Sequence, residues 1–187
     1  FVKDDDPMAP NYFFIAANLL GKTSATWRLC LARPDVKLTP QGAVYSSKGR
    51  VDADIQFLYP ADAALPVEPR THETYGLGAD GKYAKQSVTL NGLTAHARTA
   101  RFDTVVYPRL KEEKPPVITS LADGRGVRVV TTAGTDYLFL SDKPFQFKDG
   151  PVEFEGTAGV IRLRENGGTL LLGEKGMISY KGKKLES

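Results

Sequence analysis

The chain has 187 residues, of which 41% are hydrophobic and 25% charged, and its formal net charge is +3. This size and composition are typical of a folded protein with a substantial core, and they exclude wholesale disorder. The small net charge disfavours a dedicated nucleic-acid-binding protein. The sequence contains no apolar run near the roughly 20 residues that a membrane-spanning helix needs.

The beginning of the chain carries two signals. It starts with Phe1 rather than methionine, so we expect either a removed leader or a piece of a longer protein. No basic segment followed by an apolar segment marks a signal peptide at this end. Asp4, Asp5 and Asp6 are candidate calcium ligands, because Ca²⁺ takes several oxygens. We favour the simpler interpretation, a solvated acidic end.

Alternation of apolar and polar residues dominates the chain and predicts β-strands. In the segment 51–59, Ile55 and Phe57 point to one side and Asp52 and Asp54 to the other, which predicts a strand with one solvent-facing side. The segment 27–31 alternates in the same way. It contains the only cysteine, which excludes an internal disulfide, and that residue, Cys30, is expected to be a small buried side chain.

Glycines that follow Asn, Asp or Lys mark the expected turns between these strands. The pairs are Asn91-Gly92, Asp123-Gly124, Asp149-Gly150, Asn166-Gly167 and Lys181-Gly182. Prolines and glycines predict a long surface loop over residues 60–82, in which residues 62–65 are the best helix candidate. The charged, proline-bearing segment 110–116 is either a linker or, as we favour, a crossover between two sheets.

Together these elements predict an all-β fold, an antiparallel two-sheet β-sandwich with many short strands and little or no helix. We predict a single domain over residues 1–187, with a sub-boundary near residues 110–116 as the alternative.

His72 and Tyr75 are the candidate catalytic residues. A neighbouring histidine and tyrosine can abstract and return a proton, as β-elimination on a sugar acid requires. Arg70 and Arg98 are candidate neutralisers of the sugar carboxylate. The simpler interpretation makes His72 a polar residue near a loop, and the second histidine, His96, a structural residue in a strand.

His72 and His96 are also possible metal ligands. With Glu73 or Asp103 they supply ligand types that zinc accepts, but their spacing matches no compact zinc motif. The glycines form no phosphate-binding pattern, and no known hydrolase or metalloprotease motif is present. The sequence therefore predicts no metal and no cofactor.

Arginines are concentrated in the second half of the chain, and Arg98, Arg101 and Arg128 are the candidate ligand-binding residues. On a shared sheet face their guanidinium groups would suit carboxylates or sulfates. Exposed tyrosines beside them would stack on sugar rings. The simpler interpretation is ordinary charge on a solvent-facing sheet surface.

Residues 101–141 resemble the C-terminal β-sandwich region of heparinase II/III-like polysaccharide lyases. The resemblance lies in a strand ending in Tyr107-Pro108, the charged loop 110–116, a Gly-Val strand over 126–132 and an apolar strand over 137–141. The opening FVKDDDPM and the strand DADIQFLYP are also similar to that region. The likeness is a pattern of strands and turns rather than a catalytic signature.

The resemblance implies a fragment of an exported protein, periplasmic or extracellular, that acts on acidic polysaccharides. Whole members join an (α/α) toroid to this β region, with the active site between the two. No residue of this chain matches the family's catalytic tyrosine and histidine, and the zinc that some members hold in the β region matches neither His72 nor His96. The implied role is therefore a non-catalytic accessory domain that packs on the toroid and contacts acidic polysaccharide.

Two alternatives remain at this point. One is an independent carbohydrate-binding module. The other is a complete small lyase that uses His72 and Tyr75. Neither alternative involves nucleic acid or a membrane span.

Overall fold

The computed structural model describes residues 1–3, 10–19, 24–31, 35–61, 63 and 66–187. The acidic residues Asp4, Asp5 and Asp6 therefore lie outside the described residues. The expected helical turn at residues 62–65 also lies outside them, apart from Ala63, as does the side chain of Cys30.

The described residues form fifteen strands, and every strand pairing is antiparallel. In chain order they are β1 (Phe13–Asn18), β2 (Ala25–Leu31), β3 (Val36–Thr39), β4 (Gly42–Ser46), β5 (Val51–Tyr59), β6 (Val67–Leu77), β7 (Tyr83–Ala97), β8 (Arg101–Leu110), β9 (Val117–Leu121), β10 (Gly126–Thr131), β11 (Gly134–Asp149), β12 (Val152–Arg164), β13 (Gly167–Leu172), β14 (Gly176–Tyr180) and β15 (Lys183–Glu186). Ala122–Gly124 forms a short 3₁₀ turn, and no helix among the described residues has the length and apolar character of a membrane-spanning segment.

The strands make three sheets within the described part of the chain. The central sheet has the order β1-β8-β5-β4-β3. The large sheet has the order β15-β14-β12-β11-β10-β9, with β13 also paired to β12, and the small sheet has the order β2-β7-β6. The predicted all-β antiparallel sandwich is confirmed, and the structure adds a third sheet to the two expected.

The central sheet is covered on both faces. On β8, Val105 and Tyr107 belong to a core shared with the large sheet, whereas Phe102 and Val106 belong to a core shared with the small sheet. A strand covered on both sides has no solvent-facing side. The expectation of a wet side on β5 is therefore wrong: Asp52 on that side is 9% exposed.

The large sheet has a third core on its other face, away from the central sheet. The long strands β11 and β12 shift register between Leu140 and Phe145, and residues on both sides of this shift meet in the same cluster. Phe139 and Phe154 stack with ring centres 4.4 Å apart. Strands β13 and β14 complete the cluster, so the C-terminal third buries its own apolar residues.

Segment 110–116, expected as a crossover or a linker, runs from the end of β8 in the central sheet to the start of β9 in the large sheet. One hydrophobic core draws on both of these sheets, through Val105 of β8 and Val127 of β10. The segment therefore joins two packed layers.

Some of the turns expected from the sequence are confirmed, and others are displaced or absent. Lys181 and Gly182 have positive φ angles of 49° and 80°, which is the two-residue hairpin loop expected there. Asn91-Gly92 forms no turn, because β7 continues through it and pairs there with both β2 and β6. The hairpin loop expected at Asn166-Gly167 is displaced by one residue, since Arg164 pairs with Gly167. The segment 60–82, expected to be a surface loop, contains strand β6 over Val67–Leu77.

Candidate functional site

His72 and Tyr75 both lie on β6 but do not form a pair. Side chains alternate along a strand, so residues three apart point to opposite faces. His72 lies opposite Val88 and Tyr75 opposite Lys85 on the neighbouring strand β7. Tyr75 is 72% exposed, and His72 is also exposed. The proton-transfer pair considered from the sequence is therefore not brought together.

His96 and the candidate neutralisers are also dispersed. His96 lies on β7, with its Nδ1 3.2 Å from Thr26 Oγ1 and its Nε2 4.0 Å from a carboxylate oxygen of Glu68. Arg98 is exposed just beyond the end of β7, and the side chain of Arg70 lies outside the described residues. Within the described ranges, no group of three His, Cys, Asp or Glu side chains is placed to hold a metal ion.

Arg101 is engaged in an internal cluster at the start of β8. Its guanidinium forms an ion pair with Asp103, donates a hydrogen bond of 3.0 Å to the Asp123 carbonyl, and lies 4.6 Å from the centre of the Tyr59 ring. Asp103 is 1% exposed, and its burial raises the pKa of its carboxyl to about 6, although Arg101 acts in the opposite direction. Arg101 thus serves to compensate a buried carboxylate.

Arg128 does not share a surface with Arg101. It lies on β10 between Val127 and Val129, which are buried against the central sheet, so Arg128 faces away from that sheet. Arg101 alternates with Phe102, which packs toward the small sheet, so Arg101 is directed toward the large sheet. The shared arginine face expected for ligand binding is not formed by these two residues.

Three other arginines pair with carboxylates of neighbouring strands in their own sheet. Arg109 Nε donates to Asp54 Oδ2 at 2.6 Å, on the side of β5 that faces the large sheet. Arg162 and Arg164 both donate to the carboxylate of Asp136, which is 2% exposed. These pairs support the interpretation of the arginines as structural charge.

Tyr12 completes the network around Asp136. Its hydroxyl donates to Asp136 Oδ2 at 2.9 Å, and Arg162 donates from the same network to the carbonyls of Lys3 and Pro10. Burial, together with the charge of Asp136, holds the pKa of Tyr12 well above its usual range. The network therefore binds the first residues of the chain to strands β11 and β12 of the large sheet.

A cleft of about 370 Å³ opens beside the end of β8. It is lined by Tyr107, Arg109, Glu113 and Lys114, and by the turn 131–133. Arg109 is already paired with Asp54, and it also donates to the carbonyl of Glu113. The lining of the cleft therefore has two cations and one carboxylate, and one of the cations, Arg109, is committed to the protein itself.

A groove of about 330 Å³ lies between two hairpin turns of the large sheet, and sequence reasoning did not identify it. Its walls come from the β12–β13 and β14–β15 hairpins: Leu163, Arg164, Leu170, Tyr180, Lys181 and Lys183. Leu163, Leu170 and Tyr180 pack against the third core. Lys181 and Lys183 stand at its edge, and Lys181 Nζ lies 5.4 Å from the centre of the Tyr180 ring.

Local sequence explains why these groups meet. The positive φ angles of Lys181 and Gly182 allow a two-residue loop, which places Tyr180 directly opposite Lys183. Cross-strand partners share a face, so both side chains are on the face that carries buried Ile178. The only sequence signal of this groove was the Lys181-Gly182 turn, since the partner wall comes from a hairpin that is remote in sequence.

A second unusual surface is the outer part of the β6–β7 hairpin, residues 71–87, which we call the arm. Strand β2 pairs only with the inner part of β7, so the arm is a two-stranded ribbon. Tyr75, Leu77 and Tyr83 share one of its faces and are 62% to 77% exposed. Glu73 and Lys85 form an ion pair of 2.6 Å on the same face.

Comparison with known proteins yields no match of any kind: no family model, no curated protein and no solved structure corresponds to this chain. The geometry of the chain itself therefore carries the functional argument.

Proposed function

We propose that this chain is a non-catalytic β-sandwich accessory domain of a heparinase II/III-like polysaccharide lyase, which packs on a catalytic (α/α) toroid and contacts acidic polysaccharide. The single observation that carries the proposal is the arm. A two-stranded ribbon is marginally stable alone in water, and its Tyr75, Leu77 and Tyr83 are largely exposed. Such a surface is expected to be covered by another domain.

The non-catalytic character is supported by the dispersal of the candidate residues. His72 and Tyr75 point to opposite faces of the arm, and Arg101 is paired with a buried carboxylate. Acid–base catalysis needs its groups within hydrogen-bonding reach of one substrate. By the same resemblance, we propose that the protein is exported to the periplasm or the extracellular space.

A second candidate function is an independent carbohydrate-binding module, and the groove beside Lys181 and Lys183 favours it. Such a module would bind glycan without any catalytic domain. The two functions differ in what the arm does, because only the accessory domain buries the arm against a neighbouring domain.

The full-length gene product decides between them. Amide hydrogen exchange would be measured for residues 71–87 in the isolated chain and in the full-length protein. We expect an upstream helical toroid and slow exchange in the arm only when that toroid is present. A gene product without such a domain, or an arm that exchanges equally fast in both proteins, would overturn the accessory role.

An elimination assay tests the remaining lyase alternative. The isolated chain is incubated with a uronic-acid polymer, and ultraviolet absorbance follows the unsaturated sugar that elimination produces. We expect no increase above the buffer control. An increase that disappears in His72→Ala would establish the small lyase instead.

A further inference from the structure

We infer that the groove between the β12–β13 and β14–β15 hairpins is a binding site for an anionic sugar. In this site the carboxylate or sulfate of the sugar lies between Lys181 and Lys183, and its ring packs on Tyr180 and Leu170. The inference names the glycan-contacting surface of the proposed accessory domain and rests on that function for its biological context. Its chemistry follows from the groove alone.

The first argument is the charge of the groove. Its described lining contains Arg164, Lys181 and Lys183 and no acidic side chain. Leu163 faces the third core, so its neighbour Arg164 is directed to the other face of the sheet, where it pairs with Asp136. The positive charge that the groove presents to a ligand therefore comes from Lys181 and Lys183. A concave surface of one sign concentrates ligands of the opposite sign.

The second argument is that the two lysines are not used by the protein. Nearby lysines of the same sheet pair with carboxylates, as Lys148 does with Glu153 and Lys184 with Glu186. No such pair involves Lys181 or Lys183 in the part of the chain that the structure describes. Lys184 makes the contrast sharp, because it follows Lys183 directly but points to the opposite face of β15.

The third argument is the apolar floor. Leu163, Leu170 and Tyr180 are only partly buried, so they present apolar surface to the groove while packing on the third core. One face of a pyranose ring consists largely of C–H groups and packs well on such a surface. A simple inorganic anion would use the lysines but not this floor. Binding sites for small ligands commonly combine an apolar lining with a few placed polar groups.

The fourth argument is that the groove is already formed. Ile178, two residues before Tyr180, is fully buried in the third core, and the loop after Tyr180 has only two residues. Both walls are therefore hairpins anchored in packed strands. A preformed site loses less conformational entropy when the ligand binds.

The test is a titration of the isolated chain with a short oligogalacturonate, with a heparin oligosaccharide, with a neutral cello-oligosaccharide and with inorganic sulfate. Amide NMR shifts locate the contact, and calorimetry gives the affinity. We expect one or both acidic oligosaccharides to bind and to shift amides in residues 163–170 and 180–183. Lys181→Gln and Lys183→Gln should each weaken that binding three- to tenfold, whereas Lys184→Gln should leave it unchanged.

Other results would overturn the inference. They include no binding of either acidic oligosaccharide, equal affinity for the neutral oligosaccharide or for sulfate alone, and equal loss in Lys184→Gln. All three lysines are exposed, so the variants are expected to unfold at the same urea concentration as the parent chain. The result is also independent of the exchange experiment on the arm, because a chain that binds acidic sugar without a toroid would retain the site and lose only the accessory role.

Discussion

At the scale of single residues, burial determines whether a charged side chain pairs within the protein or is available to a ligand. Arg101, a candidate ligand-binding group by sequence, compensates the buried carboxylate of Asp103, and Arg109 pairs in the same way with the half-buried Asp54. A buried ion that loses its partner is strongly destabilising, so such pairs constrain the chain even when they contribute little net stability. Lys181 and Lys183, the two lysines of the groove, have no such partner among the described residues and are therefore the more informative cations.

Asp103 should make stability depend on pH. Its pKa is raised from 3.8 to about 6 because the carboxyl is buried. Between these values the folded protein holds a proton that the unfolded chain has released, so the contribution of Asp103 to stability falls as pH rises. In Asp103→Asn this fall is absent. We expect the free energy of unfolding of the variant, relative to the parent, to increase by on the order of 2 kcal/mol from pH 4 to pH 7.

Urea unfolding at a series of pH values measures this difference. Arg101→Gln provides a second variant, because removing the cation that lowers the pKa of Asp103 should extend the fall to higher pH. A difference between Asp103→Asn and the parent that stays constant or decreases with pH would show that burial does not control this carboxyl.

At the scale of strands, close backbone approach explains one glycine. Gly42 begins β4 opposite Gln56, and a Cβ built there would lie 1.9 Å from the carbonyl oxygen of Ile55. The backbone of β5 would have to move. We expect Gly42→Ala to lower the free energy of unfolding by about 2 kcal/mol or more, measured by urea denaturation.

Gly49 supplies the matched control for this substitution. A Cβ at Gly49 would meet only the Ser47 hydroxyl at 3.6 Å, which is an ordinary contact. Gly49→Ala should therefore change the free energy of unfolding by less than about 0.5 kcal/mol. Equal effects of the two substitutions would mean that the β4–β5 approach is not the constraint.

Strand patterning was sufficient to predict the fold class but not the layers. The alternation in β5 identified a strand correctly, yet it could not show that a second sheet would cover Asp52 and Asp54, because that contact comes from residues distant in sequence. Asn91-Gly92 was misjudged for a related reason. Its turn preference is local, whereas pairing of β7 with two neighbours at once is a tertiary effect that overrides it.

The groove was not predicted for the same physical reason. A sequence shows that Lys181-Gly182 suits a turn, but not that a leucine from β13 lies across from it. By contrast, His72 and Tyr75 were candidate catalytic residues because they are close in the sequence. A strand separates neighbours of odd spacing, so closeness along the chain did not become closeness in space.

At the scale of the whole molecule, one sheet carries two cores. The central sheet packs on the large sheet through Val105 and on the small sheet through Phe57. A substitution that destabilises one of these two cores is therefore expected to destabilise the other, because both include residues of strands β5 and β8. Trp27, the only tryptophan, reports on the small-sheet side, since its ring lies 5.0 Å from that of Phe57.

Asp136 offers a test of this coupling from the opposite side of the molecule. In Asp136→Asn, Arg162 and Arg164 lose their shared counter-charge in a buried place, which should cost about 3 kcal/mol of stability. Tyr12→Phe removes only the hydroxyl hydrogen bond to the same carboxylate and should cost about 1 kcal/mol. Both losses arise in the large sheet and the segment packed on it, remote from Trp27.

If the three layers unfold as one cooperative unit, Trp27 fluorescence and far-ultraviolet circular dichroism must give the same urea midpoint in every variant. We expect both midpoints to fall together, more in Asp136→Asn than in Tyr12→Phe. A dichroism midpoint that falls while the fluorescence midpoint stays fixed would show that the small sheet and its side of the central sheet are stable without the large sheet. The shared strands would then not transmit the loss, and the chain would behave as two separately folding parts.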